Sequence, residues 1–581
     1  MPTSTEDAPP KAEGGASSAA QPLDPIAEVT FHFGSSPEGE ALAFAPGPVT
    51  VFVGPNHSGK SLVLRELDQY VTREVHGQSR HIVNALVLRQ FDFEQMRSIL
   101  VSHPDYPPPD ETGKSVRLRR LLSRGRPDRA ALSGHISLER PEMNIEVLFA
   151  LSILLDGDTR LHVLDAQPRE NLSTPQGTLL GRLFQNDPAR SELQTLVRDL
   201  FGYHFLVDLT TTLSDWNVLL SETPPPPGSE KSVDAEAIRF FGSARHVSSF
   251  GDGIRAYLGM LAAAHAVPWK MILLDEPEAF LHPPLMARLG RTLAALASRN
   301  HGHVFAATHS SEFVMGCVLS GRPVNVVRLT YRNGRGNARI LDSAKLRSLM
   351  RDPIVRSANL FAGLFHSASV VTESDADRAY YQEVNQRLLD AGMPGILDAH
   401  FVSGYGKPTV HRMFGPLRQA GIPAAGIADL DILKDDGAAW SAWMDAGHVP
   451  AATRTSLGQL RGQLFAAFKK KNAQPGDGPA PLELSDLVSL RLFFDAMAKF
   501  GIFVVPVGRL EKWRPDIDVD KREWPAAVFD AMKSDPSEPG YVKPPPETLR
   551  TLKTSELPTI WQFIQSVAAW LSDDGRLGMP N

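Results

Sequence analysis

Apolar runs of five or six residues, each stopped by glycine, proline or an acid, recur along the chain and predict strands. They lie at 27–31 (AEVTF), 49–54 (VTVFVG), 271–276 (MILLDE), 303–309 (HVFAATH), 368–374 (ASVVTES), 424–431 (AAGIADLD) and 502–507 (IFVVPV). Runs so uniformly apolar suit strands covered on both faces. Between them the apolar period lengthens to that of helices, as in SLVLRELDQY after residue 60. Strand-like and helix-like stretches in alternation predict an α/β fold.

The same pattern divides the chain. Residues 1–24 are rich in Pro, Ala, Ser and Gly without an apolar period, so they bury too little surface to offset ordering entropy and are expected to form a disordered tail. A first α/β unit is expected over 25–361. Within it, 95–230 holds apolar stretches such as NIEVLFALSILL and the breaker PPPPG at 224–228, and reads as a helical insertion. A second α/β unit is expected over 362–515, interrupted by a polar helical segment at 435–499, with a helical extension over 516–581. No internal repeat or long heptad array is present.

Composition narrows the setting. A chain of 581 residues with 42% hydrophobic content is too long for one core and normal for a folded protein. Its single cysteine, Cys317, excludes an internal disulfide and a zinc ribbon, which predicts a reducing, cytoplasmic compartment. No apolar run approaches the roughly 18–20 residues that span a bilayer, and the N-terminus lacks the build of a signal peptide, so no membrane partner is expected. A formal net charge of −6 gives no global attraction to nucleic acid, so a polyanion would need local basic patches or metal ions. One basic patch is KSVRLRRLLSRGRPDR at 114–129, a solvated face or a track for a phosphate backbone.

Two constellations carry chemistry. GPNHSGKS at 54–61 fits G-x-x-x-x-G-K-[ST] between an apolar strand and a helix, the arrangement that aims backbone N–H groups at phosphate. Lys60 is expected to meet the β/γ-phosphates and Ser61 the Mg²⁺. Downstream, an apolar strand ends in Asp275, suited to the Mg²⁺ shell, and Glu276, suited to orienting or deprotonating the attacking water. Ser249 and Gly251 precede an apolar helix, and His309 ends another strand. The second constellation is acidic. One strand ends at Glu373 with Asp377 four residues on, a spacing that puts both carboxylates on one helical face. Another ends in Asp429 and Asp431, alternate positions that point the same way off a strand, and Glu511 follows a third. Acids at three strand ends repel one another unless a hard cation, Mg²⁺ or Mn²⁺, neutralises them.

The order of phosphate loop, S-x-G signature, D-E strand and strand-terminal histidine resembles the ATP-binding-cassette ATPase superfamily. DEPEAFLHP and ATHSSEF are similar to its soluble branch, which includes the OLD (overcoming lysogenization defect) nucleases and recombination ATPases. This resemblance covers about 25–95 and 235–345. It implies that Gly54, Asn56, Ser58, Gly59, Lys60 and Ser61 hold ATP, that Gln90 is the candidate for the glutamine loop, and that His309 contacts the γ-phosphate. Ser249 and Gly251 would act on the partner protomer's nucleotide, which implies a homodimer or higher oligomer. The signature reads SSFGD where the family usually has LSGGQ.

Glu373 followed by D-x-D at 429–431 resembles the Toprim fold of topoisomerases, primases and OLD-family nucleases. VSGYGKPTV is similar to that family's glycine-lysine turn and GRLEKW to its late acidic motif. TESDAD departs from the family pattern at Ser374 and Ala376. The resemblance implies that Glu373 and Asp377 bind metal or act as general base, and that Asp429, Asp431 and Glu511 are metal ligands. A primase would want a zinc module and a topoisomerase a nucleophilic tyrosine domain, which leaves hydrolysis. An ABC-type ATPase domain followed by a Toprim domain is the OLD-nuclease architecture. The expectation is an ATP- and Mg²⁺- or Mn²⁺-dependent nuclease of phage defence, acting on DNA more than RNA, with a defence-system partner protein. An RNase acting on tRNA and a non-cleaving, ATP-switched DNA clamp remain alternatives.

Overall fold

The computed structural model describes residues 24–35, 40–72, 80–106, 115–120, 122, 135–137, 139, 142–210, 214–332, 334–353, 359–545 and 556–580. The expected tail, apart from Asp24, and most of the basic run, apart from 115–120 and 122, lie outside the described residues.

The first unit is built on a six-stranded sheet. Val49–Val53 runs parallel to His303–Ala307 on one side and to Val324–Arg332 on the other. Beyond His303–Ala307 come Met271–Asp275 and the edge strand Ser152–Leu155, all parallel. The opposite edge is closed by Arg335–Leu341, antiparallel to Val324–Arg332. Strand alternation sends Val49, Val51 and Val53 into one apolar cluster, with the helices Asp252–Ala266, Pro283–Asn300 and Ser311–Val318, and Phe52 into another. That second cluster includes the helix Lys60–Thr72 and a small antiparallel sheet of Ala43–Phe44, Ile26–Phe31 and Val83–Leu88, where Phe31 packs 6.2 Å from Phe52. Cys317 is sealed where two helices touch, close enough that a Cβ on Gly290 would lie 3.0 Å from its sulfur.

The segment expected as a helical insertion is mixed. NIEVLFALSILL splits into a helix, Ile145–Ala150, and the edge strand Ser152–Leu155. A short apolar run does not distinguish helix from buried strand by period, and here parallel pairing with Met271–Leu274 decides. A hairpin, His204–Asp208 with Asp215–Ser221, packs beside the helices Leu179–Gln185 and Asp187–Phe201, and their apolar residues join the core of the main sheet.

The second unit has four parallel strands in the order Ala399–Ser403, Ala368–Thr372, Ala424–Ala428, Ile502–Val504. The first strand in sequence lies inside, and the chain winds to one side of it and then to the other. The crevice between Ala368–Thr372 and Ala424–Ala428 is therefore the switch point where open α/β sheets collect ligands. The helical excursion before the last strand consists of Gly437–Ala446, Ala451–Lys470 and Leu484–Ala498. The C-terminal segment is tied into this unit: Ile560–Ser572 packs on Asp375–Asp390, and buried Arg418 donates to the carbonyls of Ala424, Gly501 and Gly578. The two units meet where Arg328 of the first sheet donates to the carbonyls of His366 (3.0 Å) and Gly421 (3.2 Å).

Candidate functional site

Because the central strands are parallel, the loop after Val49–Val53, the acids after Met271–Leu274 and the turn after His303–Ala307 emerge from one edge of the sheet. The phosphate-loop glycines are obligatory there. A Cβ at Gly54 (φ +148°) would lie 2.1 Å from the Leu329 carbonyl, and one at Gly59 (φ +94°) would lie 2.6 Å from Ile82. Lys60 opens the helix that follows and donates to the carbonyls of Gly54 (2.9 Å) and Pro55 (2.8 Å). Burial pushes its ammonium down to about 8, against the opposing pull of Glu276, Glu278 and Asp275. Ser58 Oγ is buried without a hydrogen-bond partner, while Asn56 is exposed. Ser61 Oγ donates to Asp275 at 2.8 Å across 214 positions of sequence, and burial raises the Asp275 carboxyl. A cationic lysine, an unpartnered hydroxyl and a helix N-terminus at one loop suit an anionic phosphate chain.

Glu276 sits in the left-handed region at φ +47°, a conformation that non-glycine residues adopt only when their surroundings enforce it. Its N–H donates to Ala307 O (2.8 Å), and Arg160 Nη1 donates at 2.8 Å to the carbonyls of both Asp275 and Glu276. The Glu278 carboxylate, raised by burial, accepts from Thr308 Oγ1 (2.7 Å) and from His309 N–H (2.5 Å), joining the acidic turn to the histidine turn. The His309 ring lies 6.1 Å from Phe365, in the turn leading into the second unit; burial and the Lys60 charge lower its pKa. Sequence reasoning missed Glu278 and Arg160. Glu278 was visible as the third acid of DEPEAF, whereas Arg160 had no signal, being remote in a segment read as an insertion.

Three expected residues do not join this group. Gln90 is exposed and bonds to nothing among the described residues. Ser249 and Gly251 are exposed at the start of Asp252–Ala266 and, among the described residues, make no hydrogen bond to 54–61; Ser249 Oγ donates to His246 O instead.

In the second unit Glu373, Asp377, Asp429 and Glu511 line one cavity of about 270 Å³ at the switch point. Glu373 Oε1 accepts the Asp429 N–H at 3.0 Å, linking the ends of adjacent strands. Burial, then the charges of Glu373, Asp377 and Asp431, drives the Asp429 carboxyl well above its ordinary range; burial, with Asp431 and Asp377, moves Glu373 upward too, although the Asp429 N–H and Lys407 oppose that shift. Glu511 Oε2 is buried without a hydrogen bond, 3.6 Å from Arg509 Nε, and Lys521, which had no signal in the sequence, sits 3.7 Å from the other oxygen.

Two acids are placed differently from expectation. Glu373 precedes the helix instead of sharing a face of it, and Asp377 closes a capping box, accepting from Ser374 N–H (2.9 Å) and Oγ (2.5 Å). The strand ends at Ala428, so Asp431 lies in the 3-10 turn Leu430–Lys434 and pairs with Lys407 (3.1 Å), which also holds Asp435 at 2.9 Å. With those two engaged, no three His, Cys, Asp or Glu side chains converge as a ready metal cage among the described residues. The donor chemistry still suits a hard cation, since Glu373, Asp429 and Glu511 are carboxylates gathered at one cavity.

The family described as "AAA domain, putative AbiEii toxin, Type IV TA system" matches residues 222–315. An OLD nuclease from Thermus scotoductus is 25% identical over 435 residues, 66% of this chain and 78% of that protein. Protein ea59 of Escherichia phage lambda is 35% identical over 100 residues, 14% of this chain and 19% of that protein. Among solved structures, the SMC head domain from Thermotoga maritima is 12% identical with a TM-score of 0.26, covering 55% of this chain and 99% of that one. An SMC head bound to the C-winged helix domain of ScpA is 11% identical with a TM-score of 0.33, covering 56% and 99%. No helix among the described residues is long and apolar enough to cross a membrane.

Proposed function

We propose that this chain, which belongs to the OLD family of ATPases, is an ATP-dependent and divalent-metal-dependent nuclease whose second unit, a Toprim domain, cleaves DNA phosphodiesters. The observation that carries the reading is the meeting of Glu373 and Asp429 across the switch-point cavity, on a different sheet from the phosphate loop. The reading includes a role in phage defence with a partner protein, which the sequence resemblance implies.

In the ATPase half, Lys60 exchanges its two carbonyl contacts for phosphate oxygens, and the orphaned Ser58 hydroxyl gains a partner. Glu276, pinned by Arg160, takes the proton of the attacking water, and His309 meets the γ-phosphate. Ser249 and Gly251, exposed and detached from their own loop, serve the loop of a second protomer. In the nuclease half Glu373, Asp429 and Glu511 would hold a divalent ion, with Glu373 also placed to orient and deprotonate water, and Asp377 and Asp431 stand behind them. A divalent ion at Ser61 and Asp275 in one site, and at Glu373, Asp429 and Glu511 in the other, would neutralise these acids and the phosphate under attack and lower the pKa of a bound water. Contact of His309 with Phe365 offers a route by which the nucleotide biases the second unit.

Purified protein with Mg²⁺ or Mn²⁺, assayed on plasmid DNA and on total tRNA with and without ATP, tests the reading. Cleavage of DNA that needs metal and Asp429 supports it. Cleavage of tRNA alone favours an RNase, and binding without cleavage of either favours a clamp.

A further inference from the structure

The antiparallel hairpin at the edge of the first sheet, Val324–Arg332 with Arg335–Leu341, faces the second unit across a cavity of about 860 Å³. Neither nucleotide turnover nor the acidic cavity uses it. Among the described residues, its walls carry five guanidinium groups, of Arg328, Arg332, Arg335, Arg339 and Arg576, against one carboxylate, Asp574. Asp574 reaches Arg332 and Arg576 only at 3.9 Å each. Among the described residues, Arg335 and Arg339 have no carboxylate partner. Arg328 is 5% exposed, and its Nε is buried without a partner.

Five like charges around one hollow repel one another, which a protein tolerates where a counter-charge is expected. Burial, then the charges of Arg332 and Arg339, pushes Arg328 down to about 10. Guanidinium forks grip phosphate oxygens in pairs and stay charged at any physiological pH. The volume lies within the roughly 300–1,000 Å³ of small-molecule pockets.

Place distinguishes this cavity from both other sites. It touches Pro55 and Asn56 but is not lined by Ser58–Ser61. On the other wall it meets Ser367 and Pro423, immediately before strands Ala368–Thr372 and Ala424–Ala428, whose opposite ends carry Glu373 and Asp429. A five-residue strand separates the two ends by about 17 Å. A nucleic-acid strand engaged by the acids does not occupy this hollow at the same point.

We infer that the arginine-lined cavity between the edge hairpin and the second sheet binds a small ligand carrying adjacent phosphates, at a site that borders the phosphate loop at Pro55 and Asn56 but is separate from Ser58–Ser61 and from the acids. Tripolyphosphate is the probe, titrated calorimetrically into full-length Lys60→Ala protein in EDTA, which disables the phosphate loop and removes metal. One site is expected to remain, and to weaken about tenfold or more for each arginine lost in Arg335→Gln and Arg339→Gln variants. In protein of natural sequence, tripolyphosphate should also shield Arg335 and Arg339 from phenylglyoxal, mapped by mass spectrometry, a readout that needs no variant to fold. A nucleoside triphosphate competing for the same site identifies a nucleotide as the source of the phosphates. No binding by Lys60→Ala protein, or no shielding of these arginines, overturns the inference. So does binding of a single-stranded oligonucleotide there without tripolyphosphate binding. No cleavage is measured, so failure here leaves the nuclease reading standing.

Discussion

Arg160 donates to the main-chain oxygens of both Asp275 and Glu276, 2.8 Å each, from 115 and 116 positions away in sequence. Its guanidinium is buried, and it holds Glu276 in a left-handed conformation. The acid's aim thus depends on an edge segment of the fold, outside any motif.

Replacing Arg160 with Ala leaves the Asp275 and Glu276 carbonyls without this donor and frees the Glu276 turn. ATP kcat should fall about ten- to a hundredfold while KM changes only a few-fold, because a group acting in the transition state loses its position. Arg160→Lys should restore part of kcat. A KM effect as large as the kcat effect, or no rescue by Lys, would assign Arg160 to general stability.

Lys60→Ala should abolish ATP binding and turnover, since it removes the main cation from the phosphate loop. Glu276→Gln should keep ATP bound but unhydrolysed, lowering kcat by about two orders of magnitude or more. Equilibrium binding of a fluorescent ATP analogue alongside phosphate release separates the two. Turnover equal to the parent in both variants would remove the assignment.

Ser249→Arg places bulk and charge where the reading puts the partner's phosphates, so it should block turnover. Mixing it with Lys60→Ala protein should restore one intact composite site in some dimers. Verified heterodimers that show no recovered turnover would count against action in trans.

Asp429→Ala should remove nucleic-acid cleavage by about three orders of magnitude, roughly 4 kcal/mol of transition-state stabilisation, while ATP turnover stays within a few-fold of the parent. The two groups sit on different sheets, which is why the effects should separate. Plasmid nicking and phosphate release in the same samples provide the check.

Burial and the neighbouring acids hold the carboxyls of Glu373 and Asp429 above their unfolded values, so the folded protein binds these protons more tightly than the unfolded chain does. Their contribution to stability is therefore greatest at low pH and lost as pH rises out of the ordinary carboxylate range toward the raised folded values. In EDTA, Glu373→Gln with Asp429→Asn should flatten the fall in Tm between about pH 5 and pH 8. Mg²⁺ should raise the Tm of the parent most at the upper end, and a metal-independent Tm at every pH would argue against a cation at these acids.

Much of the fold was legible because parallel strands buried on both faces are written as unbroken apolar runs, and parallel sheets deliver their working residues at strand ends. Asp275, His309, Glu373 and Asp429 stood out as candidates for that reason, and Lys60 through the phosphate-loop pattern. Ser152–Leu155 was hidden because so short an apolar run becomes a strand only through pairing with Met271–Leu274. Asp377 and Asp431 followed the right spacing, but local geometry redirected them: a capping box claimed one and Lys407 the other. Glu278, Arg160 and Lys521 act through contacts between distant segments, which spacing along one strand or helix does not encode.

Cys317, the chain's only cysteine, is locked between Pro283–Asn300 and Ser311–Val318, and burial holds its thiol far above its ordinary range. The protein's surface is thereby silent toward thiol reagents. A cysteine introduced at exposed Ser249 or Tyr405 would be the sole attachment point for a spin label, a fluorophore or a crosslinker. Distances between protomers, and movement of one unit against the other, become measurable in a chain altered at a single residue.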